Sequence, residues 1–279
     1  MIGYGNSMFL NRQFDGGAPA PLLLLDTYPN AAVAYSLRKL RTAYTGSAIR
    51  VRRSSDNAEQ NIGYGSNNVL DTAALLTFCG PGDGFVTTWY DQSGNANNAT
   101  QSTAFNQPQI VKAGAMLTTN GKNSILFDAN KLMNLASSIT VGASSYTSFV
   151  GKRISSGSRL IGLARWSTSG YAFYLWSDNK YYYLGKTNSY LSSTFTDTTT
   201  AQLLLTGQNS VGTMSIFKNG SAITSSSAGL VYSTLVDSIG GASGNFSNSN
   251  LQEAVLYNSD QSANRTGIES NINTFYTIY

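Results

Sequence analysis

Eight aromatic residues from Trp166 to Tyr183 surround the adjacent pair Asp178-Asn179. Side chains alternate between the two faces of an extended strand, so Tyr171, Phe173 and Leu175 fall on one side and Tyr174 and Trp176 on the other. One set fills a core. The other, together with Trp166, offers a platform on which sugar rings stack, with Asp178 and Asn179 supplying directed hydrogen bonds. Packing in the core and across strands is the plainer reading of the same residues.

Other chemistries are narrowed by what is missing. The 279 residues contain no histidine, which excludes imidazole bases, serine and cysteine triads and His-ligated zinc. The single cysteine, Cys79, permits no internal disulfide and reads as a small buried hydrophobe. Asp91 with Asn95, Asn97 and Asn98 resembles an oxygen-rich calcium loop, but one carboxylate offers the ion little charge, and Asp and Asn in such a turn cap their own backbone. No metal and no cofactor is assigned. Arg38, Lys39, Arg41, Arg50, Arg52 and Arg53 form a basic window without an acid. Because Arg50 and Arg52 share a strand face that Arg53 does not, and the net charge is only +4, solvated or subunit-facing roles are expected rather than nucleic acid.

The elements that must position these residues are mostly strands. Charged residues make up 11% of the chain, against roughly 25% in an average soluble domain, and the remainder is rich in Ser, Thr, Asn and Gly, which favour turns and exposed strand faces. Short apolar runs at even spacing predict strands at 85–90, 146–150, 160–166, 171–176, 180–184, 201–207, 212–217, 221–225, 236–239 and 251–257. Asn219-Gly220 between two of them predicts a type I′ hairpin turn. Helices are expected at about 31–43, with Asn30 as N-cap, at 71–78, and near the end, with Ile268, Ile272 and Phe275 on one face. Residues 1–30, interrupted by Gly16-Gly17-Ala18-Pro19-Ala20-Pro21, read as an extended arm whose Met8, Phe9, Leu10 and Phe14 are candidates for assembly contacts. No apolar run reaches the roughly 18 residues of a membrane span, and the N-terminus lacks the pattern of a secretory signal.

The segments Tyr35-Ser36-Leu37-Arg38, Gly46 to Asp56, Phe78-Cys79 and Thr88-Trp89-Tyr90-Asp91-Gln92-Ser93-Gly94-Asn95 resemble the catalytic domain of α-L-arabinofuranosidase B. The later Phe217-Lys218-Asn219-Gly220, Ile239-Gly240-Gly241 and Leu251 to Tyr257 are similar to concanavalin A-like, laminin-G-like jelly rolls. The resemblance implies an all-β, two-sheet antiparallel jelly-roll sandwich over 31–279, with a few short helices and the arm 1–30 in front. In the family pattern an acid/base Asp follows the Gly-Gly matched by Gly240-Gly241, where this chain has Ala242. The nucleophile Glu has no counterpart, since Asp178 and Asp197 are the only acids between Asp128 and Asp237. The family's second cysteine beside Cys79 is missing, and Phe127-Asp128 matches the laminin-G Phe-Asp-Gly motif except that Ala129 replaces the glycine.

A sandwich of this kind without its carboxyl pair is expected to be non-catalytic. With no signal and an apolar arm, it reads as a bacteriophage virion structural protein of tail, fibre or head decoration. Its expected partners are other virion proteins, further copies of itself and host-surface glycans. Two alternatives stand beside that expectation: a glycoside hydrolase whose carboxyls have moved, with Asp178, Asp237 or Glu253 as candidates, and a free carbohydrate-binding module.

Overall fold

The computed structural model describes residues 22–165, 171–186, 189–210, 212–226, 234–242 and 244–279. The arm candidates Met8, Phe9, Leu10 and Phe14, and the platform candidate Trp166, lie outside the described residues.

The fold is an all-β sandwich in which every strand pair is antiparallel. Its front sheet runs Met133–Val141, Thr234–Ile239, Leu160–Ala164, Ala172–Leu175, Tyr181–Lys186 and Ser189–Ser192 in lateral order. The back sheet runs Val33–Ser36, Ser249–Tyr257, Ser145–Arg153, Leu203–Ser210, Thr213–Lys218 and Ser221–Ser226. Ile49–Arg53, Glu59–Ile62, Gly84–Trp89 and Gln109–Lys112 extend the sandwich at one end. Phe149 of the back sheet meets Phe173 of the front sheet edge-on, with ring centroids 5.5 Å apart, in the core between them. Gly162 makes that approach possible, since a Cβ there would lie 2.3 Å from the Phe149 ring.

Among the described residues three short α-helices sit on this frame: α1 (Leu24–Thr27), α2 (Thr72–Cys79) and α3 (Arg265–Tyr276). Helix α2 starts where expected because the Asp71 carboxylate accepts from Ala74 N at 3.0 Å, and it ends at Gly80, whose φ is +60°. Helix α3 lays Ile268, Ile272 and Tyr276 on the outer side of the back sheet, where they bury Tyr146, Val150, Leu204 and Val255. Leu24 and Leu25 of α1 belong to the same cluster, so the packed body takes in residues well before Ala31. Asn219 and Gly220, with φ of 51° and 77°, close the Lys218–Ser221 pair as the type I′ turn requires.

The helix expected at 31–43 is not formed. Val33–Ser36 is a strand paired with Glu253–Leu256, and Asn30 adopts a left-handed φ of 67° rather than capping a helix. Val33 and Tyr35 enter the inter-sheet core while Ala34 faces the α3 side. A strand buried on both faces is apolar without a visible period of two, which is how it passed for a helix.

Candidate functional site

The alternation read from the sequence holds. Tyr171, Phe173 and Leu175 fill the inter-sheet core, whereas Tyr174 and Trp176 lie on the outer side of the front sheet with Ile161, Ala164 and Ala172 beneath. Register places Tyr174 opposite Tyr182, and their rings stack at 5.3 Å and 24°. Trp176 stands 5.1 Å from Tyr174 along the same strand face, and Tyr190 lies 5.5 Å from Tyr182 on the other side. Tyr174 is buried, Trp176 and Tyr182 are half-buried, and Tyr190 is 57% exposed. The result is an aromatic strip across three strands, open at its Tyr190 end.

Two polar groups border it. Tyr182 donates to Asp178 Oδ2 at 2.6 Å, and Lys180 N donates to Asp178 Oδ1 at 3.0 Å, which holds the exposed carboxylate at the strip's edge. Burial first, and then the bond to Asp178, push the Tyr182 hydroxyl up to about 12, so it remains a proton donor. The Arg159 guanidinium lies 3.9 Å over the Trp176 ring and donates to Asn245 Oδ1 at 3.3 Å. Asn179 points elsewhere: its Oδ1 accepts from Arg153 Nη1 at 2.6 Å and from Gly157 N at 3.0 Å, tying two loops together.

The remaining carboxylates have other surroundings. Glu253 is 1% exposed and accepts from Arg38 Nε at 2.8 Å, Arg38 Nη2 at 3.0 Å, Ser36 Oγ at 2.7 Å and Tyr276 Oη at 3.2 Å. It is sealed between the back sheet and α3, out of reach of any substrate. Asp237 pairs with Arg165 at 3.4 Å. It adjoins Ser238, opposite Ala164, whereas Asp178 lies beyond Leu175, opposite Leu160. Four residues of strand separate the two levels, roughly 13 Å, more than the about 5–9.5 Å that glycosidase carboxyl pairs span. Asp197 is held by Tyr181 and Lys218 beside the core, and these contacts draw its carboxyl below the usual range against the opposing effect of burial.

Asp91 is a structural tie. Its carboxylate accepts from Ala34 N, Ser93 N, Ser93 Oγ and Asn97 N, all within 3.1 Å, while the Gln92 amide joins Leu40 N to the carbonyls of Ser36 and Arg38. This is the physical content of Tyr90-Asp91-Gln92-Ser93-Gly94-Asn95: it clamps the strand Val33–Ser36 to the chain that follows Trp89. The basic window disperses, with Arg38 on Glu253, Arg50 on Glu59, Arg53 on Asp56 and Arg52 on Gln107. Cavities of about 710 Å³, behind the back sheet at Arg38 and Phe275, and about 360 Å³, at Arg41 and Asn95, have no acid among their lining residues. Neither offers the carboxyl that glycosidic-bond chemistry requires.

Fold and site together describe an antiparallel β-sandwich that turns an aromatic, carboxylate-edged face outward. Residues 26–159 match the family model described as alpha-L-arabinofuranosidase B, catalytic. The chain is 34% identical over 106 residues to the alpha-L-arabinofuranosidase B of Aspergillus oryzae, an alignment covering 34% of this chain and 21% of the relative. It is 35% identical over 105 residues to an alpha-L-arabinofuranosidase of Hypocrea jecorina, with the same coverage. The chain therefore aligns with about a fifth of the length of these relatives. Among solved structures, a GH54 arabinofuranosidase soaked with a cyclic sulfate inhibitor superposes with a TM-score of 0.70 at 16% identity, over 89% of this chain and 64% of that one. An arabinofuranosidase complexed with arabinofuranosyl-alpha-1,2-xylobiose gives 0.69 over the same shares. At that identity the structural likeness establishes the common fold.

These matches correct the functional expectation. The related sequences are fungal glycosidases, which overturns the reading as a non-catalytic bacteriophage virion protein and, with it, the virion location. The sequence relation favours the alternative, a glycoside hydrolase. Arg159, Tyr190 and Asn245 were not singled out from the sequence. Only the register of Leu160 against Leu175 brings Arg159 to Trp176.

Proposed function

We propose that this chain is a glycoside hydrolase of arabinofuranosidase type that acts at the aromatic strip of the front sheet. The observation that carries the reading is the agreement of two independent likenesses: the family model over 26–159, and the arabinofuranosidase fold over 89% of the chain. The strip supports it by exposing the Tyr190 ring for a sugar beside the hydrogen-bonded pair Tyr182–Asp178.

A second carboxyl within pairing distance is not needed if a phenol serves as nucleophile, as it does in some glycosidases. Tyr182 Oη attacks the anomeric carbon as Asp178 takes its proton, the glycosidic C–O bond breaks, and the departing oxygen takes a proton from water on the opposite face, leaving hydroxide. The water-derived hydroxide then attacks the anomeric carbon, the bond between sugar and tyrosine breaks, and Asp178 returns the proton to Tyr182 Oη. Incubation with aryl α-L-arabinofuranosides and arabinose-bearing polysaccharides tests this. Turnover by the wild type is expected to fall by about 10²-fold or more in Asp178→Asn, the scale of a lost acid/base group. Absence of wild-type turnover, or undiminished turnover in Asp178→Asn and Tyr182→Phe, overturns the proposal.

A further inference from the structure

We propose that Arg159, stacked on Trp176, is a receptor for a carboxylate on the bound glycan, so that the preferred ligands are uronate-bearing rather than neutral. The inference rests on the reading that glycans occupy the aromatic strip, and adds to it the charge class of the ligand.

Among the described residues Arg159 belongs, with Arg41, Arg52 and Arg153, to the arginines that form no ion pair. Arg38, Arg50, Arg53, Arg165 and Arg265 each form an ion pair with a carboxylate. Among the described residues no carboxylate lies within ion-pair distance of Arg159. Its guanidinium is nevertheless held in place, 3.9 Å over the Trp176 ring and bonded to Asn245 at 3.3 Å. A guanidinium held over an aromatic ring by one hydrogen bond keeps further donors of its planar fork for a carboxylate, which arginine can take bidentately. The half-buried position strengthens such a contact relative to open water. The site is also selective in sign. Asp178, bonded to Tyr182, and Arg159, over Trp176, both act on Tyr174, so a ligand carboxylate is drawn to the Arg159 side of the strip and repelled beside Asp178. A pyranose ring on Tyr182 or Tyr190 with a uronate branch reaching Trp176 satisfies both groups.

Calorimetric titration with a glucuronate-substituted arabinoxylo-oligosaccharide, and with the same oligosaccharide after its carboxyls are reduced to hydroxymethyl groups, tests the proposal. The acidic form is expected to bind the wild type about tenfold tighter or better, on the scale of one charge-assisted contact, and less so as salt is raised. Arg159→Gln is expected to bind both forms alike, and Arg159→Lys to retain part of the preference. Equal binding by the wild type, or a preference that survives in Arg159→Gln, overturns it. Binding of the reduced form by both variants reports that the strip is intact. A uronate preference without turnover of aryl arabinofuranosides refutes the hydrolase reading alone, and turnover without the preference refutes only the role of Arg159.

Discussion

Removing the Glu253 carboxylate strands a guanidinium. Arg38 is 6% exposed and gives Nε and Nη2 to Glu253, which leaves it the bond from Nη1 to Asn271 and its position over the Phe275 and Tyr276 rings. Breaking a buried pair from one side costs about 3–5 kcal/mol, because the remaining charge stays desolvated. Unfolding entropy of about 2.1 cal/mol/K per residue, taken over the chain length, converts this into a fall in Tm of about 5–9 °C. Glu253→Ala is expected to show that fall by circular dichroism melting. Arg38→Met combined with Glu253→Leu is expected to recover most of it, since the pair is then replaced by apolar side chains. A single variant within about 1 kcal/mol of wild type, or a double variant no better than the single, refutes the account of Glu253 as a structural lock. If the variant instead melted normally and lost turnover, Glu253 would be catalytic after all.

Two buried acids are expected to respond to pH in opposite directions. The Asp197 carboxyl, lowered by Lys218 and Tyr181, contributes stability that is complete above its unfolded value of about 3.9 and is lost as pH falls through the folded value. Denaturant melts should therefore show Asp197→Asn costing more at pH 7 than in strong acid. Glu269, raised chiefly by burial and only partly relieved by Arg265, contributes below about pH 4.3 and loses that contribution as pH rises through its folded value. Glu269→Gln should accordingly be less costly at pH 7 than at pH 4, and parallel pH profiles for variant and wild type would disprove either assignment. Gly162→Ala is expected to destabilise by about 1–3 kcal/mol, the range for overpacking a core, through its clash with the Phe149 ring. Phe149→Leu in the same background should relieve part of that loss, and an unchanged melt in the single variant would refute the contact.

Where the sequence was legible, local signals agreed with tertiary ones. Asn219-Gly220 has one good solution, and Asp71 followed by an apolar run ending at Gly80 has one too. The alternation of Tyr171 to Trp176 placed both sets of aromatics on the correct faces because one face had to be core. Val33–Ser36 failed because Ala34 is covered by α3, an element more than 220 residues further on, so both faces are apolar for unrelated reasons. Asn179 was read as a site residue from its position beside Asp178, but its left-handed φ of 64° turns it toward Arg153 and the loop at Gly157. Arg159 carried no local signal at all, since its partners Trp176 and Asn245 come from separate strand pairings.

The scarcity of charge acquires a spatial meaning once the two outer faces are compared. The back sheet is sealed by α1 and α3, and the Arg38–Glu253 pair with the Tyr276 hydroxyl lies beneath that seal. The front sheet instead keeps small residues, Ala164 and Ala172, under a strip of rings that ends in the exposed Tyr190. Among the described residues three acids accept from tyrosine hydroxyls: Glu253 from Tyr276, Asp197 from Tyr181 and Asp178 from Tyr182. The first two are buried, where a carboxylate–phenol pair serves packing and can meet no substrate. The third has the same chemistry on the open face, with an exposed carboxylate and a half-buried ring. With only 14 acids in the chain, that placement is what separates a candidate reactive pair from two structural ones.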